Sequence, residues 1–403
     1  MFGVGAHGHV NPSIEVIREL AARGHRVTYA VPGSFAGTVA ATGAEPRIYT
    51  STLPAGDDPQ AWGGELIDHL RLFLADAGQA LPQLLKAYEG DRPDPVLYDP
   101  MAYAARVLAQ RWGVPAVQLS PHAVAWEGYE EKVAAEMSGA LREDPCGAPR
   151  YSRSHAWLAN NGISIGPGGV ARRPERCIAL ISEVLQPNAH RVDPAVYTFT
   201  GPCRPEHATG DGSGGDWQRP AGAERVLLIS LGTLFTRAPE FYRACVEAFG
   251  GLPGWHVVLR TGKGVDRAEL GEAPGNVEVR DWVPQQAILE QADVFITHAG
   301  AGSAHEGLAH GVPMVAVPQA ADQFGNAEML VELGVARRVA KEEATPEALR
   351  GAVLALAGDP DAAARGAAIR RRMAAEGGTR RAADLVEAEL PGRRTCALSA
   401  LSA

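Results

Sequence analysis

Buried strands and amphipathic helices alternate along most of the chain. Short apolar runs such as RVTYAVP, PVLYD and ADVFITHAG are typical of strands that are buried on both faces. Segments with helical spacing follow them, as in SIEVIRELAARG and AYAARVLAQRWG, and a glycine ends each helix. We place the first helix from Ser13, after a short first strand and a loop over residues 5–12. The pattern predicts an α/β protein with parallel sheets flanked by helices.

The alternation occurs twice, on either side of a segment with almost no apolar residues. That segment, residues 207–223, is rich in Gly, Asp and Pro and is predicted to be a linker. We expect one domain over residues 1–206 and a second over residues 224–378. A helix over residues 379–391 is expected to pack back on the first domain, and residues 392–403 to form a disordered tail. A chain of 403 residues exceeds one compact core, which supports this division.

Composition argues against several classes of binding partner and indicates a cellular compartment. The net charge of −9 argues against nucleic acid and anionic membrane surfaces as partners. The apolar runs have the length of strands, so no stable membrane insertion is expected. The first residues lack the features of a secretory signal. Five scattered cysteines without metal-ligand spacing indicate reduced thiols in a cytoplasmic protein.

Residues 282–326 combine a glycine-rich turn with polar side chains between a buried strand and a helix. Unpaired N–H groups and the helix dipole make such a turn an anion site, here large enough for a diphosphate. His298 ends the strand, Gly300 and Gly302 let the backbone approach an anion, and Ser303 offers a hydroxyl. Taken singly, these residues are more typical of a capping histidine and of a tight turn without a ligand, because short glycine motifs are common.

Further polar residues strengthen the prediction of a ligand site. Glu306 stands one turn into the helix, where its carboxylate can accept from a sugar hydroxyl. Ser230 and Thr233 end another strand and are candidates for the same cleft. Together with Asp322 and Gln323, they make a ligand the favoured interpretation of this stretch.

These residues carry a resemblance to a known family. The pattern WVPQ…HAGAGS…EG…GVPM…P…DQ…N is similar to the nucleotide-sugar signature of the UDP-sugar-dependent glycosyltransferases. GHVNPSIEVIRELAARGHRVTYAVP and PDPVLYDPMAYAARVLAQRWGVPAVQLSP resemble the first half of that family, so the resemblance covers nearly the whole chain. It is strongest to bacterial macrolide glycosyltransferases of the oleandomycin type. One departure is Ala299-Gly300-Ala301-Gly302, where plant members carry Cys-Gly-Trp-Asn.

The resemblance implies the GT-B fold, with two Rossmann-like domains facing across a cleft. The first domain would bind the acceptor and the second the UDP-sugar co-substrate, with inversion at the anomeric carbon and neither a metal nor another cofactor. It also implies a donor site, with Trp282 and Gln285 at the uracil and Val283 among the donor-binding residues. Glu306 would lie at the ribose, and Asp322 and Gln323 at the donor sugar. The diphosphate would lie at His298, Gly300, Ala301, Gly302 and Ser303.

Transfer to a hydroxyl requires a base, and histidine has a suitable pKa near neutral pH. The family pattern places the base just before Val-Asn-Pro, which is His9 here. Asp99 ends the strand PVLYD and would orient His9 and stabilise its protonated form. Alone, Asp99 is more typical of a helix cap, but the pairing with His9 favours catalysis. His7 is interpreted as a loop residue near the acceptor.

An apolar acceptor would need a large cavity. Candidates to line it are Phe73, Met101, Tyr103, Trp126 and Tyr129, although each is individually more typical of a helix-face core. His122 and His155 fall in the irregular region of residues 121–173, where a role in lining the pocket is the less favoured interpretation.

The sequence therefore predicts transfer of glucose from UDP-glucose to a hydroxyl of a macrolide, which would inactivate the antibiotic. Alternatives are another small aglycone, such as a flavonoid or steroid, and another UDP- or TDP-sugar. An NAD(P)-dependent oxidoreductase is disfavoured because HAGAGS does not fit G-x-G-x-x-G. A non-catalytic sugar-nucleotide-binding partner is disfavoured because such a protein needs neither His9 nor Asp99.

Overall fold

The computed structural model describes residues 1–54, 59–62, 66–135, 156–164, 173–204, 216–232, 236–262, 264–320 and 322–390. They form two compact units: Met1–Arg204 together with the C-terminal segment from Glu376, and Pro205–Ala375. Most of the predicted linker (207–215) and the predicted tail lie outside the described residues. Among the helices described, none combines the length and hydropathy needed to span a bilayer. Cys177, Cys203 and Cys245 are free thiols.

The first unit is a parallel α/β structure. Its strands are β1 (Thr28–Pro32), β2 (Glu45–Tyr49), β3 (Val96–Tyr98), β4 (Ala116–Ser120), β5 (Cys177–Ala179) and β6 (Tyr197–Phe199). The helices that position the site are α1 (His7–Ala22), α2 (Ala36–Ala40), α3 (Leu66–Ala87) and α4 (Tyr103–Trp112). β1 pairs with β2, and β3 to β6 pair in chain order.

The N-terminal segment joins these two groups of strands. Phe2 forms parallel bridges with Ala30 of β1 and Tyr98 of β3. The Phe2 amide donates to the carbonyl of Leu97 at 2.9 Å, and the Asp99 amide donates back to the Phe2 carbonyl at 3.0 Å. The predicted short first strand therefore lies in the middle of the layer, with β1 on one side and β3 on the other.

The prediction that the first helix begins at Ser13 is wrong: α1 begins at His7. Proline normally stands in the first turn of a helix because it has no N–H to donate, yet Pro12 lies inside α1. The carbonyl of Ala6 accepts the amides of His9 and Val10 at 3.0 Å, so the helix is already formed ahead of the proline. A proline ring inside a helix crowds the carbonyl of the residue four positions earlier. For Pro12 that residue is Gly8, which has no side chain. His9 consequently lies in the first helical turn rather than in a loop.

The second unit contains one six-stranded parallel sheet. Its strands are β7 (Arg225–Ser230), β8 (Trp255–Arg260), β9 (Val277–Arg280), β10 (Val294–Thr297), β11 (Met314–Ala316) and β12 (Ala336–Arg338). Its helices are α5 (Pro239–Phe249), α6 (Gln285–Leu289), α7 (Ala301–His310), α8 (Gln323–Glu332), α9 (Pro346–Ala357) and α10 (Pro360–Ala375). The strand order is β12-β11-β10-β7-β8-β9, the doubly wound order of a Rossmann fold.

The last helix, α11 (Gly378–Ala388), belongs to the first unit. Ala382, Ala383 and Val386 are buried in the same apolar cluster as the inner face of α1. At the end of α1, Arg23 donates to Asp384 at 2.6 Å, and an Nε2–Oε1 distance of 2.8 Å joins His25 to Glu387. The chain thus returns from the second unit to complete the core of the first.

Candidate active site

In each unit the candidate residues lie where the order of the strands reverses. In the second unit this point falls between β7 and β10, and His298 directly follows β10. In the first unit it falls between the N-terminal segment at Phe2 and β3. His9 follows the N-terminal segment along the chain, and Asp99 directly follows β3. In open parallel sheets, ligands bind outside the carboxyl ends of the strands at such points. The topology therefore accounts for both groups of candidates.

His9 and Asp99 form a hydrogen-bonded pair. His9 Nδ1 lies 2.9 Å from Asp99 Oδ2, and the two side chains are 17% and 1% exposed. The second carboxylate oxygen, Oδ1, accepts the Met101 amide at 2.8 Å. Helix α4 is instead preceded by Ala102 as its N-cap, so the carboxylate of Asp99 does not serve as the cap of that helix. Both oxygens of Asp99 therefore have hydrogen-bond partners. The imidazole of His9, which Asp99 orients, remains partly exposed.

The pair shifts the pKa of His9. Burial by itself lowers the pKa, but the charge of Asp99 and its hydrogen bond outweigh burial, so the pKa lies above 6.5. With Nδ1–H donated to the carboxylate, the neutral ring presents Nε2 as an unprotonated acceptor. The arrangement suits general-base chemistry near neutral pH.

Two further rings surround His9. The ring of Phe73 lies 5.4 Å from that of His9, and the ring of His122 contacts it edge-on at 5.2 Å. Burial, followed by the charge of His9, lowers the pKa of His122 to about 4. Sequence reasoning left His122 without a favoured role, although it stands two residues after β4, the neighbour of β3. Three successive strand ends thus deliver His9, Asp99 and His122 to one edge.

The remaining acceptor candidates occupy different environments. His7 is exposed in α1, with its ring 4.9 Å from Phe35. Tyr103 is only 4% exposed and donates its hydroxyl to Met101 Sδ at 3.8 Å. Trp126 and Tyr129 form a half-buried edge-to-face pair at 4.8 Å. Phe73 and Tyr103 belong to the core of the unit, and His155 lies outside the described residues.

In the second unit, the turn after β10 has an unusual backbone. Ala299 is fully buried and has a φ of 61°, a left-handed conformation that is rare for a residue with a side chain. Its amide donates to Thr297 Oγ1 at 3.2 Å. Gly300 is the N-cap of α7, which begins at Ala301. The first amides of α7 therefore point out of the carboxyl end of the sheet, as an anion site requires.

The ring of His298 lies over two glycines. A Cβ built on Gly232 would stand 2.5 Å from His298 Cε1, and one built on Gly300 would overlap Nε2. Within the described residues, His298 Nδ1 is buried without a hydrogen-bond partner. Burial, and then the charge of Arg260, lower the pKa of His298 to about 4. The ring is therefore uncharged at neutral pH and offers an N–H rather than a positive charge.

Trp282, Gln285 and Glu306 form the other side of this site. Trp282 is 46% exposed, which is unusual for an indole, while Val283 is 3% exposed. Gln285 Nε2 donates to Glu306 Oε2. Gln285 Oε1 is buried and has no partner in the described part of the chain. The Trp282 ring is thus available for stacking, and a buried carbonyl oxygen is available to accept a hydrogen bond.

Asp322 and Gln323 begin α8 and are placed differently. Gln323 is 4% exposed, and its Oε1 accepts the amides of Gln319 and Ala320 at 2.8 and 3.2 Å. Only its amide nitrogen is then left for a ligand. Asp322 is exposed, and its Oδ2 accepts from Asn326 Nδ2 at 2.9 Å. The same nitrogen donates to the carbonyl of Ala299 at 3.0 Å, so Asn326, which was missing from the predicted site, links Asp322 to the turn.

Two hydroxyl candidates are buried. Ser230 is fully buried and accepts the amide of Gly232 at 3.3 Å, so it holds the turn beneath His298. Ser303, in the first turn of α7, is 9% exposed. Gly302 has no atom within 4 Å of where its Cβ would lie, so open space faces it. Thr233 lies outside the described residues. Across the described segments, no three His, Cys, Asp or Glu side chains gather as around a metal ion.

Comparison with known proteins fits this arrangement. Residues 256–388 match the family model described as Erythromycin biosynthesis protein CIII-like, C-terminal domain. The oleandomycin glycosyltransferase of Streptomyces antibioticus is 61% identical over 394 residues, which cover 98% of this chain and 91% of that protein. The chain belongs to the bacterial macrolide glycosyltransferases. The resemblance predicted from sequence is confirmed.

Solved structures of related glycosyltransferases agree with the fold. The kitacinnamycin glycotransferase superposes with a TM-score of 0.87 at 51% identity, covering 97% of this chain and 98% of that one. The calicheamicin glycosyltransferase CalG4 gives a TM-score of 0.81 at 32% identity, covering 96% and 97%. The predicted GT-B fold class is confirmed, and the protein is a glycosyltransferase of the macrolide and natural-product type.

Proposed function

We propose that this glycosyltransferase moves glucose from UDP-glucose to a hydroxyl of a macrolide, with inversion and without a metal. The proposal depends above all on the 2.9 Å hydrogen bond between His9 and Asp99. A buried carboxylate behind a partly exposed imidazole is the arrangement that a base acting on an alcohol requires. The first unit would bind the acceptor and the second the UDP-sugar.

In the proposed reaction, His9 Nε2 removes the proton of the acceptor hydroxyl as its oxygen attacks the anomeric carbon. The new carbon–oxygen bond forms as the bond to the diphosphate breaks, and UDP leaves with the electron pair. Attack opposite the leaving group inverts the anomeric configuration. Asp99 stabilises the imidazolium that forms.

On the donor side, Trp282 would stack on the uracil, and the unpartnered Gln285 Oε1 would accept from the base. Glu306 would bind the ribose hydroxyls. The first amides of α7 and the N–H of His298 would hold the diphosphate and stabilise its growing charge. Ser303 and the backbone of Gly300, Ala301 and Gly302 complete that part of the site.

The glucose assignment depends on Asp322 and Gln323. An exposed carboxylate and the free amide nitrogen of Gln323 can pair with several hydroxyls, which a deoxysugar would supply in smaller number. Another UDP- or TDP-sugar is the alternative donor. A flavonoid, a steroid or another polyketide is the alternative acceptor.

The experiment that tests the proposal is mass spectrometry of the purified protein with UDP-glucose, UDP-galactose and TDP-glucose against macrolides, flavonoids and steroids. We expect a hexose adduct of a macrolide from UDP-glucose, and the same rate after treatment with EDTA. His9→Ala should lower turnover by about 10²- to 10⁴-fold and leave UDP affinity within about twofold. His190→Ala, at an exposed histidine of the same unit, is the matched control. Near-normal turnover of His9→Ala would contradict the mechanism.

A further inference from the structure

A half-buried arginine at the carboxyl end of β8 has no part in the function proposed above. Arg260 pairs in register with Ser230 of β7, and Ser230 pairs in turn with Thr297 of β10. Residues in register on parallel strands present their side chains to the same face of the sheet. Arg260 therefore lies on the face and at the edge where the His298 turn begins.

The surroundings of Arg260 place it beside the donor candidates. Its charge interacts with the carboxylate of Glu306 on α7, and it lowers the pKa of His298. Burial lowers the pKa of Arg260 itself, while Glu306 and Tyr242 oppose that effect. A guanidinium remains protonated at neutral pH even so. Arg260 is thus a permanent cation whose charge acts on both the group proposed for the ribose and the group proposed for the diphosphate.

Arg260 also has an unused donor. Its Nε is buried and has no hydrogen-bond partner in the described part of the chain. A buried donor without a partner is costly for a folded protein, and a bound ion can supply the missing acceptor. The fork of an arginine matches the oxygens of a phosphate, to which it can donate two parallel hydrogen bonds.

We propose that Arg260 binds the diphosphate of the donor and supplies the fixed positive charge of that site. The inference rests on the proposed function, because it assigns the diphosphate to the turn at His298. His298 is uncharged at neutral pH, and the end of α7 offers only a partial charge, so neither supplies a full positive charge. The product UDP carries more negative charge than the UDP-sugar, so Arg260 should favour departure of the leaving group.

Calorimetric titration of the whole protein with UDP and with uridine tests this role. Arg260→Gln and Arg260→Met should weaken UDP binding by about 10- to 100-fold and change uridine binding by less than about twofold. Arg260→Lys keeps a charge and should restore part of the lost affinity. Arg280→Gln is the matched control, because Arg280 pairs in register with Arg260 but is 51% exposed and ion-paired with Glu278.

Two results would overturn the proposal. One is unchanged UDP binding in a folded neutral variant, and the other is an equal loss for UDP and uridine, which would indicate an effect through Glu306. His298→Ala and Glu306→Ala separate this failure from failure of the proposed function. If these two variants weaken UDP binding while the Arg260 variants do not, only the role of Arg260 is wrong. If none of the five variants changes UDP binding, the diphosphate does not bind at this turn.

Discussion

His9 Nδ1 lies 2.9 Å from Asp99 Oδ2, although the two residues are 90 positions apart in the chain. The contact follows from topology: His9 comes after the N-terminal segment, Asp99 comes after β3, and Phe2 bridges to β3. Because Asp99 Oδ1 is occupied by the Met101 amide, the carboxylate has one oxygen for each partner. The pair fixes both the position of the imidazole and the nitrogen that carries its proton.

Asp99→Asn should disable the base without removing it. Asparagine has only one side-chain oxygen, and if that oxygen keeps the Met101 amide, its NH₂ group faces His9 Nδ1. The ring would then carry its proton on Nε2 and could not accept another from the acceptor. We expect turnover to fall by about 10²- to 10⁴-fold with UDP binding unchanged.

The pH profile of Asp99→Asn provides a second readout. The base works when His9 is neutral, so activity rises as pH increases through its pKa, which Asp99 holds above 6.5. Without the carboxylate, burial dominates and lowers that pKa, so the acid limb of kcat/KM for the residual activity should move to lower pH. An acid limb that stays in place would show that another group controls it.

Trp282→Ala should weaken donor binding while leaving the fold intact. The indole is 46% exposed, so its removal costs the core little. Stacking of a base on an aromatic ring contributes about 1–3 kcal/mol, and we expect UDP affinity to fall accordingly by calorimetry. Trp282→Phe should retain most of the affinity. A loss of thermal stability that matches the loss of affinity would contradict the assignment of Trp282 as a stacking surface.

A pair of glycine variants separates folding from binding in the turn. Gly302→Ala adds a methyl group to open space inside α7, so the free energy of unfolding should stay equal or rise by up to about 1 kcal/mol. If a diphosphate lies there, UDP binding should nevertheless weaken. Gly300→Ala places its methyl group against His298, so both stability and binding should fall. Urea unfolding and UDP titration of both variants check this, and unchanged UDP binding by Gly302→Ala would contradict the proposed position of the diphosphate.

The sequence predicted the parallel α/β architecture because buried strands and capped helices leave clear local patterns. It also singled out Asp99 and His298, since each stands at a predicted strand end, and the family pattern before Val-Asn-Pro singled out His9. It misplaced the start of α1, because the local rule for Pro12 was overridden by a helix already formed at His7. Arg260 was not singled out, and neither Asn326 nor His122 received a favoured role, because each of the three interacts with residues distant in the chain. Burial lowers the pKa of His298, and the backbone amides of Gln319 and Ala320 occupy the side-chain oxygen of Gln323. Neither effect can be seen in a motif.

His122 should make the protein sensitive to acid. Its folded pKa is about 4, against 6.5 as its usual value, so the unfolded chain binds this proton first. Stability is therefore lost as pH falls from 6.5 towards 4. The effect of His9 on stability has the opposite sign, because its pKa is raised in the folded protein. The stability that His9 contributes is present below pH 6.5 and is lost as pH rises through its folded pKa. Acidification also protonates His9. Because the positive charge of His9 faces His122, protonation of His122 in the folded protein becomes still less favourable.

His122→Asn removes the titrating ring. Between neutral pH and about pH 5, the variant should lose less thermal stability than the parent, by at most about 2 kcal/mol at the lower pH. Thermal midpoints at the two pH values measure the difference, with His190→Asn as the exposed control. If His122→Asn and the parent lose equal stability on acidification, His122 does not become protonated in this range on unfolding. A smaller loss of stability in His122→Asn than in the parent would show that His122 is buried in its neutral form. His9 is then the ring of the pair that takes up a proton near neutral pH.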